Sequence, residues 1–317
     1  MHRTHEGNGS HKRALVARGS RQNPTQAFSS ARLPDGRMSS SFQTRVDKIL
    51  KARNSLLCVG LDPDPAQFPR AFRSGSQVVQ ARKFLEGIVR ATAPFAAAYK
   101  MQLGHYLSLG PGGLELLARL NASIGPTRLR ILDAKANDIG NTMRFYRRAA
   151  FDRLGFDAVT VTPWLGWETL EPFAEDPTRG FFVVAHSSNP GAPDFQEIPT
   201  PRGPLWQAVV TEVKRLSQKH HNAGVVVGAT YADAVRVARQ LLGNEFPILV
   251  PGVGAQGGAL STTVREGVDA RGRALLINSS RGILYASRGP DWSAAARAEA
   301  ERLSSQINQL RAGLRTP

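Results

Sequence analysis

From Phe42 onward the chain alternates between short apolar runs and longer amphipathic segments. The apolar runs cover residues 56–61, 96–103, 129–134, 158–161, 181–185, 225–229, 248–251 and 274–278. They are short, rich in Val, Leu, Ile and Ala, and nearly free of polar residues, which is how a strand reads when both of its faces are buried. Residues 78–92, 113–122, 143–154, 167–173, 205–221, 232–242, 259–267 and 294–310 instead carry apolar positions at helical spacing. Alternation of this kind describes a parallel sheet covered by helices, and eight such units predict a closed (β/α)8 barrel, the TIM-barrel architecture. An open doubly wound sheet is the other arrangement to weigh. However, no GxGxxG follows the first run, and GxxxxGK[ST] occurs nowhere.

A barrel of this type places its chemistry at the carboxyl ends of the strands. Polar residues gather there: Asp62 after the first run, Lys100 late in the second, Asp133 and Lys135 at the end of the third, and His186, Ser187, Ser188 and Asn189 after the fifth. Thr230 follows the sixth. Pro251-Gly-Val-Gly-Ala-Gln256-Gly-Gly follows the seventh run, and Asn278-Ser-Ser-Arg281-Gly the eighth. The last two segments are where this architecture binds phosphate. Glycines let backbone N–H groups approach an anion, Gln256 can donate, and Arg281 supplies a planar charged fork.

The densest chemistry lies in Leu132-Asp-Ala-Lys-Ala-Asn-Asp-Ile-Gly-Asn-Thr142. Residues two apart on a strand share a face, so Asp133 and Lys135 are expected to point the same way. Asp138 follows three residues later, then Gly140 as a turn signal, with Asn141 and Thr142 as caps for the helix over 143–154. Alone, such a set reads as readily as a solvated salt bridge. Its place at the end of the third strand is what marks it as a site.

Composition narrows the classes. At 317 residues and 41% hydrophobic content, the chain can bury a large core as one α/β domain or two smaller ones. Its one cysteine, Cys58, excludes an internal disulfide framework, fits a reducing, cytoplasmic setting, and reads as a buried structural thiol. No apolar run approaches a membrane span. The net charge of +16 raises nucleic acid as a partner. Seven basic against two acidic residues in 1–41 contribute +5, leaving +11 for the remainder. Residues 1–41 lack hydrophobic periodicity and are expected to form a disordered basic leader, with 42–317 as the barrel domain. The leader is no secretory signal. It faintly resembles a transit peptide, although Met38 before three serines reads as an alternative start, with the leader then an artefact or a dispensable tail.

With these residues in place, the chain resembles the orotidine 5′-phosphate decarboxylase family, in particular its longer bacterial branch. The resemblance runs from about Phe42 to Leu310. It is carried by Gly60-Leu-Asp62, Tyr99-Lys-Met-Gln102, Asp133-Ala-Lys-Ala-Asn-Asp138-Ile-Gly-Asn-Thr142, Ser188-Asn-Pro-Gly-Ala192, Val227-Gly-Ala-Thr230, the segment around Gln256, and Ser279-Ser-Arg281-Gly. Their order and joint presence are more specific than any one of them. Two stretches depart from the family pattern. Ala136-Asn137 stands where Arg-Gly is common, and Lys100-Met-Gln-Leu-Gly-His-Tyr-Leu107 where Lys-Pro-Gln, an aromatic pair and Glu are usual.

The resemblance implies conversion of orotidine 5′-monophosphate to UMP and CO₂, the last step of de novo pyrimidine nucleotide synthesis, with neither metal nor organic cofactor. It implies that Lys135 is the proton donor, that Asp133 sits near the substrate carboxylate, and that Lys100 and Asp138 complete an alternating array of charges. Asp138 and Thr142 would reach the neighbouring subunit's site, giving a homodimer with shared active sites. Ser188 would contact the pyrimidine, Asp62 the ribose hydroxyls, and Gln256 with Arg281 the phosphate. His105 and His186 are expected to be structural, Trp164 and Trp167 to pack the loop after the fourth strand, and His220 and His221 to end a long helix.

Two competing functions remain. A Mg²⁺-dependent sugar-phosphate aldolase or decarboxylase of the same barrel superfamily shares the DxKxxD strand end. A nucleic-acid-binding protein would need its basic residues on one face with exposed aromatics, whereas here aromatics are 7% and the basic residues are scattered.

Overall fold

Eight of the apolar runs become eight parallel strands: β1 Leu57–Gly60, β2 Ala98–Gln102, β3 Leu129–Ala136, β4 Ala158–Val161, β5 Gly180–His186, β6 Ala223–Val227, β7 Ile248–Val250 and β8 Leu275–Ser279. Each pairs in parallel with its neighbours in sequence, and β1 pairs with β8 to close the barrel. The architecture is therefore the expected (β/α)8 barrel. The structure, a computed structural model, describes residues 40–72, 74–253 and 257–314. All but two residues of the expected leader, and Gln256, lie outside them.

β1, β4, β6, β7 and β8 are buried along their whole length. One face of each strand fills the barrel and the other meets the helices, which is why the sequence shows continuous apolar runs instead of alternation. The main outer helices are Gln77–Thr92, Pro111–Ile124, Gly140–Arg147, Leu205–Ser217, Ala232–Leu242, Gly257–Gly267 and Trp292–Ala312. Among the described residues no helix is long and apolar enough to cross a membrane.

Several boundaries differ from the sequence expectation, each for a local reason. A helix over Phe42–Arg53 precedes the first strand, with Ser41 accepting from the Thr44 N–H at its start and Asn54 in left-handed conformation at its end. Its Phe42 is fully buried, edge-on to Phe182, and so plugs the amino end of the barrel. β2 stops at Gln102 because the Gln102 side chain accepts the His105 N–H and caps a short helix, Leu103–Leu107. The helix expected over 143–154 begins at Gly140. Asn141 and Thr142 fall inside its first turn and cap nothing, since the cap position is Ile139 without a side-chain bond. It then widens into a π-helical segment, Arg148–Arg153. The helix expected to reach His221 ends at Ser217, whose hydroxyl accepts the N–H groups of Asn222 and Ala223. Residues 167–173 split into a 3₁₀ turn, Trp167–Leu170, and a single helical turn, Glu171–Ala174.

At the amino end of the barrel Arg239 acts as a staple. Its buried guanidinium donates to the carbonyls of Gly267 at 2.9 Å, Gly243 at 2.8 Å, Phe246 at 2.9 Å and Ala274 at 2.6 Å. Burial pushes its pKa down to about 10, partly offset by Asp269, so the group stays charged at neutral pH. Arg239→Met should fill similar volume yet leave these carbonyls short of donors, destabilising the fold by roughly 3 kcal/mol. Thermal unfolding reads this directly, and an unchanged midpoint would show that the staple is redundant.

Candidate active site

The site is built on an irregularity in β3. Leu132 pairs with Val159 and Ala136 with Val161, so residues 133–135 bulge opposite the single residue Thr160. Lys135 takes a left-handed backbone, φ 47°, a conformation that costs a non-glycine residue roughly 1–2 kcal/mol. Asp133 and Lys135 do reach the same space, with Lys135 Nζ 2.7 Å from Asp133 Oδ1. They do so through the bulge and not through the regular alternation the sequence suggested.

Asp133 is the hub. Besides Lys135, its Oδ1 accepts from the Thr160 hydroxyl at 2.9 Å, and its Oδ2 from Lys100 Nζ at 2.8 Å. Lys100, buried on β2, also lies 3.6 Å from Asp62 Oδ2. Asp62 stands two residues beyond β1 and is fixed by the Gln102 N–H at 3.0 Å and the Ser280 hydroxyl at 2.9 Å. Gly60 permits the second contact, because a Cβ there would lie 1.8 Å from Ser280 Oγ. The charges thus alternate as Asp62, Lys100, Asp133, Lys135.

Burial alone would raise the Asp133 pKa, but the charges and hydrogen bonds of Lys100 and Lys135 outweigh it and hold the carboxylate well below its usual range. Burial would likewise lower Lys100, yet Asp62 and Asp133 prevail and push it up to about 12. Both shifts favour the charged, folded array. The Asp133 contribution is present above the ordinary carboxylate range and is lost as pH falls toward the depressed value. The Lys100 contribution is present below its ordinary value and is lost as pH rises through about 12. Beside this array lies Cys58, fully buried, its thiol pushed up to about 12 by burial.

Two cavities open over the array. One, about 310 Å³, is lined by Asp62, Lys100, Asp133, Lys135, Thr160 and Ser188 among others. The second, about 940 Å³, shares Asp62, Ser188 and Asn278 with it and extends to Gly252, Arg281 and Arg288. The Ser188 loop lies directly on Gly228, where a Cβ would come within 2.7 Å of the Ser188 backbone. Ser187 N–H donates to Gln196 Oε1 at 2.8 Å, and His186 Nε2 sits 2.9 Å from Glu197 Oε1, so the loop is tied down beyond the site. Lys135 is half exposed into the first cavity, where an ammonium can deliver a proton. The second cavity, with its guanidinium groups, suits an anion.

Of the residues singled out in the sequence, Lys100, Asp133, Lys135, Asp62, Ser188 and Arg281 converge on these cavities. Asp138 does not join them within one chain. Its Oδ1 accepts the Ile139 N–H at 2.8 Å, and among the described residues it forms no ion pair. Thr142 lies half-buried in the first turn of the following helix, outside both described linings. Trp164 does not pack its loop inward but stands 64% exposed, edge-on to Phe195. Thr160 escaped the sequence reading, and Ser280, expected only within the phosphate segment, instead holds Asp62. A lone hydroxyl near the end of the apolar run 158–161 was the available signal for Thr160.

A model of the orotidine 5′-phosphate decarboxylase / HUMPS family matches residues 55–298. The chain belongs to this family. Over 273 residues it is 40% identical to the orotidine 5′-phosphate decarboxylase of Dehalococcoides mccartyi, a match covering 85% of this chain and 98% of that one. The Bordetella avium protein of the same name is also 40% identical over 273 residues, 86% of this chain and the whole of the other. Among solved structures, the OMP decarboxylase of Leishmania donovani superposes with a TM-score of 0.74 at 31% identity, covering 86% of this chain and 98% of that one.

In this member of the decarboxylase family, the two stretches expected to depart from the family pattern take defined places beside the site. Ala136 is buried against β4, while Asn137 lines an apolar cavity with Trp164 and Phe195. In the altered segment after Lys100, the Tyr106 hydroxyl donates to the Leu61 carbonyl at 2.7 Å, and His105 Nδ1 lies 2.8 Å from the Pro63 carbonyl. Those two contacts bracket Asp62 and hold it at the cavity.

Proposed function

We propose that the chain converts orotidine 5′-monophosphate to UMP and CO₂ without a metal or organic cofactor, and that it belongs to the longer bacterial branch of its family. The observation that carries this reading is Asp133 held between two ammonium groups at the open end of the barrel. Breaking the bond to the carboxylate leaves an electron pair at C6 of the pyrimidine with no ordinary carbonyl sink. The site must therefore stabilise that pair electrostatically and protonate it. Lys135 supplies the proton to C6 and is recharged from solvent. Asp133 faces the substrate carboxylate, so the repulsion between them is relieved as CO₂ leaves, and it also aims Lys135. Lys100 fixes Asp133. Ser188 contacts the pyrimidine, Asp62 the ribose hydroxyls, and Arg281 with Gln256 the phosphate, whose binding orients the reacting end.

The assembly in this reading is a homodimer whose sites are shared, Asp138 and Thr142 entering the partner's cavity, with residues 42–317 as the catalytic domain. Its supports are the lack of an ion pair for Asp138 among the described residues and the 63% exposure of the adjoining Ile139 side chain. The Mg²⁺-dependent alternative shares the DxKxxD strand end and is disfavoured by what surrounds it, since Lys100 occupies the other oxygen of Asp133 and, among the described residues, no three His, Cys, Asp or Glu side chains are placed to hold a metal ion. Purified protein treated with EDTA should consume orotidine 5′-monophosphate at an undiminished rate, followed by its absorbance. Turnover of sugar phosphates that appears only on adding Mg²⁺, or a folded protein inert toward the nucleotide, would overturn the proposal.

A further inference from the structure

We propose that Thr160 is a positioning residue for this decarboxylation, its one hydroxyl setting both the backbone of Lys135 and the carboxylate of Asp133. The inference rests on the proposed function and adds a residue to it. Thr160 is 1% exposed on β4, the single residue opposite the bulge. Its Oγ1 accepts the Lys135 N–H at 2.9 Å and donates to Asp133 Oδ1 at 2.9 Å. A hydroxyl has one hydrogen and two lone pairs, and carboxylates only accept, so these two bonds can form together in only one direction.

The consequence concerns where Lys135 points. In its left-handed conformation the Lys135 N–H turns toward the Thr160 side chain, and the hydroxyl receives it. Removing the hydroxyl leaves a strained backbone with its N–H unpaired. The bulge then gains by relaxing toward ordinary strand geometry, in which a change of one residue in register turns a side chain to the opposite face. Such a change would carry Lys135 away from the cavity. Asp133 would lose the donor that fixes Oδ1 independently of Lys135. Neither change touches Arg281, Ser280 or the larger cavity.

Thr160→Val keeps the shape and deletes the hydroxyl, while Thr160→Ser keeps the hydroxyl and deletes the methyl. The expected result for Thr160→Val is a kcat lowered about 10²-fold, with KM and the Kd for UMP within about twofold of wild type. Thr160→Ser should recover most of kcat. If Thr160→Val does not fold, Thr160→Ala compared with Thr160→Ser reads the same hydroxyl. Wild-type kcat in the folded variant lacking the hydroxyl, or equal loss in the serine variant, would overturn the inference. An inactive wild type would instead remove the proposed function, and this inference with it.

Discussion

Lys135→Ala is expected to lower kcat on orotidine 5′-monophosphate by at least about 10⁴-fold, since it removes both the proton donor and the positive charge beside the developing carbanion. Affinity for UMP should stay within a few-fold of wild type. The contacts assigned to ribose and phosphate lie with Asp62 and the larger cavity, and Asp62 is held by Gln102 and Ser280, not by Lys135. Asp133 keeps Lys100 at 2.8 Å, so the carboxylate retains one ammonium partner in the variant. Lys135→Arg is expected to rescue little, because a guanidinium keeps its charge but does not release its proton near neutral pH. Steady-state kinetics with calorimetric titration of UMP separates these effects. A variant retaining a tenth of the wild-type kcat would exclude Lys135 as the donor.

Asp138→Asn tests the assembly with an effect of comparable size. In the proposed dimer each site takes Lys135 from one subunit and Asp138 from the other, so homodimers of either variant are nearly inactive. Subunit exchange between Lys135→Ala and Asp138→Asn creates heterodimers in which one site carries both changes and the other carries neither. At equal mixing, half of the dimers are of this kind, which restores about a quarter of wild-type activity. Size-exclusion chromatography of tagged subunits verifies exchange. Absence of recovery after verified exchange would confine Asp138 to its own subunit and dissolve the shared site.

The barrel was legible because parallel strands buried on both faces leave continuous apolar runs, and eight of them survive as β1 to β8. The helix Phe42–Arg53 was missed although Phe42, Val46, Ile49 and Leu50 carry helical spacing, because it precedes the first strand and stands outside the alternating pattern. The charged residues were legible as types at strand ends, but their geometry was not. Asp62 takes its hydroxyl partner from Ser280, 218 residues away. The face shared by Asp133 and Lys135 follows from a bulge whose existence depends on the strand opposite, which no local pattern in β3 records. Asn141 and Thr142 had cap chemistry but lay two and three residues past the cap position. The chain enters its helix at Gly140, with Asp138 meeting the Ile139 N–H instead.

Cys58 carries a consequence for experiment. The only thiol in the chain is sealed beside the charged array, wholly buried and protonated throughout the ordinary pH range. An alkylating reagent reacts with thiolate that it can touch, and the closed barrel offers neither thiolate nor access. Labelling therefore proceeds only through openings that separate β1 from its neighbours, so the alkylation rate counts those openings without any introduced probe. Ligands that close the cavities should slow that clock, and the slowing measures how tightly they hold the barrel shut.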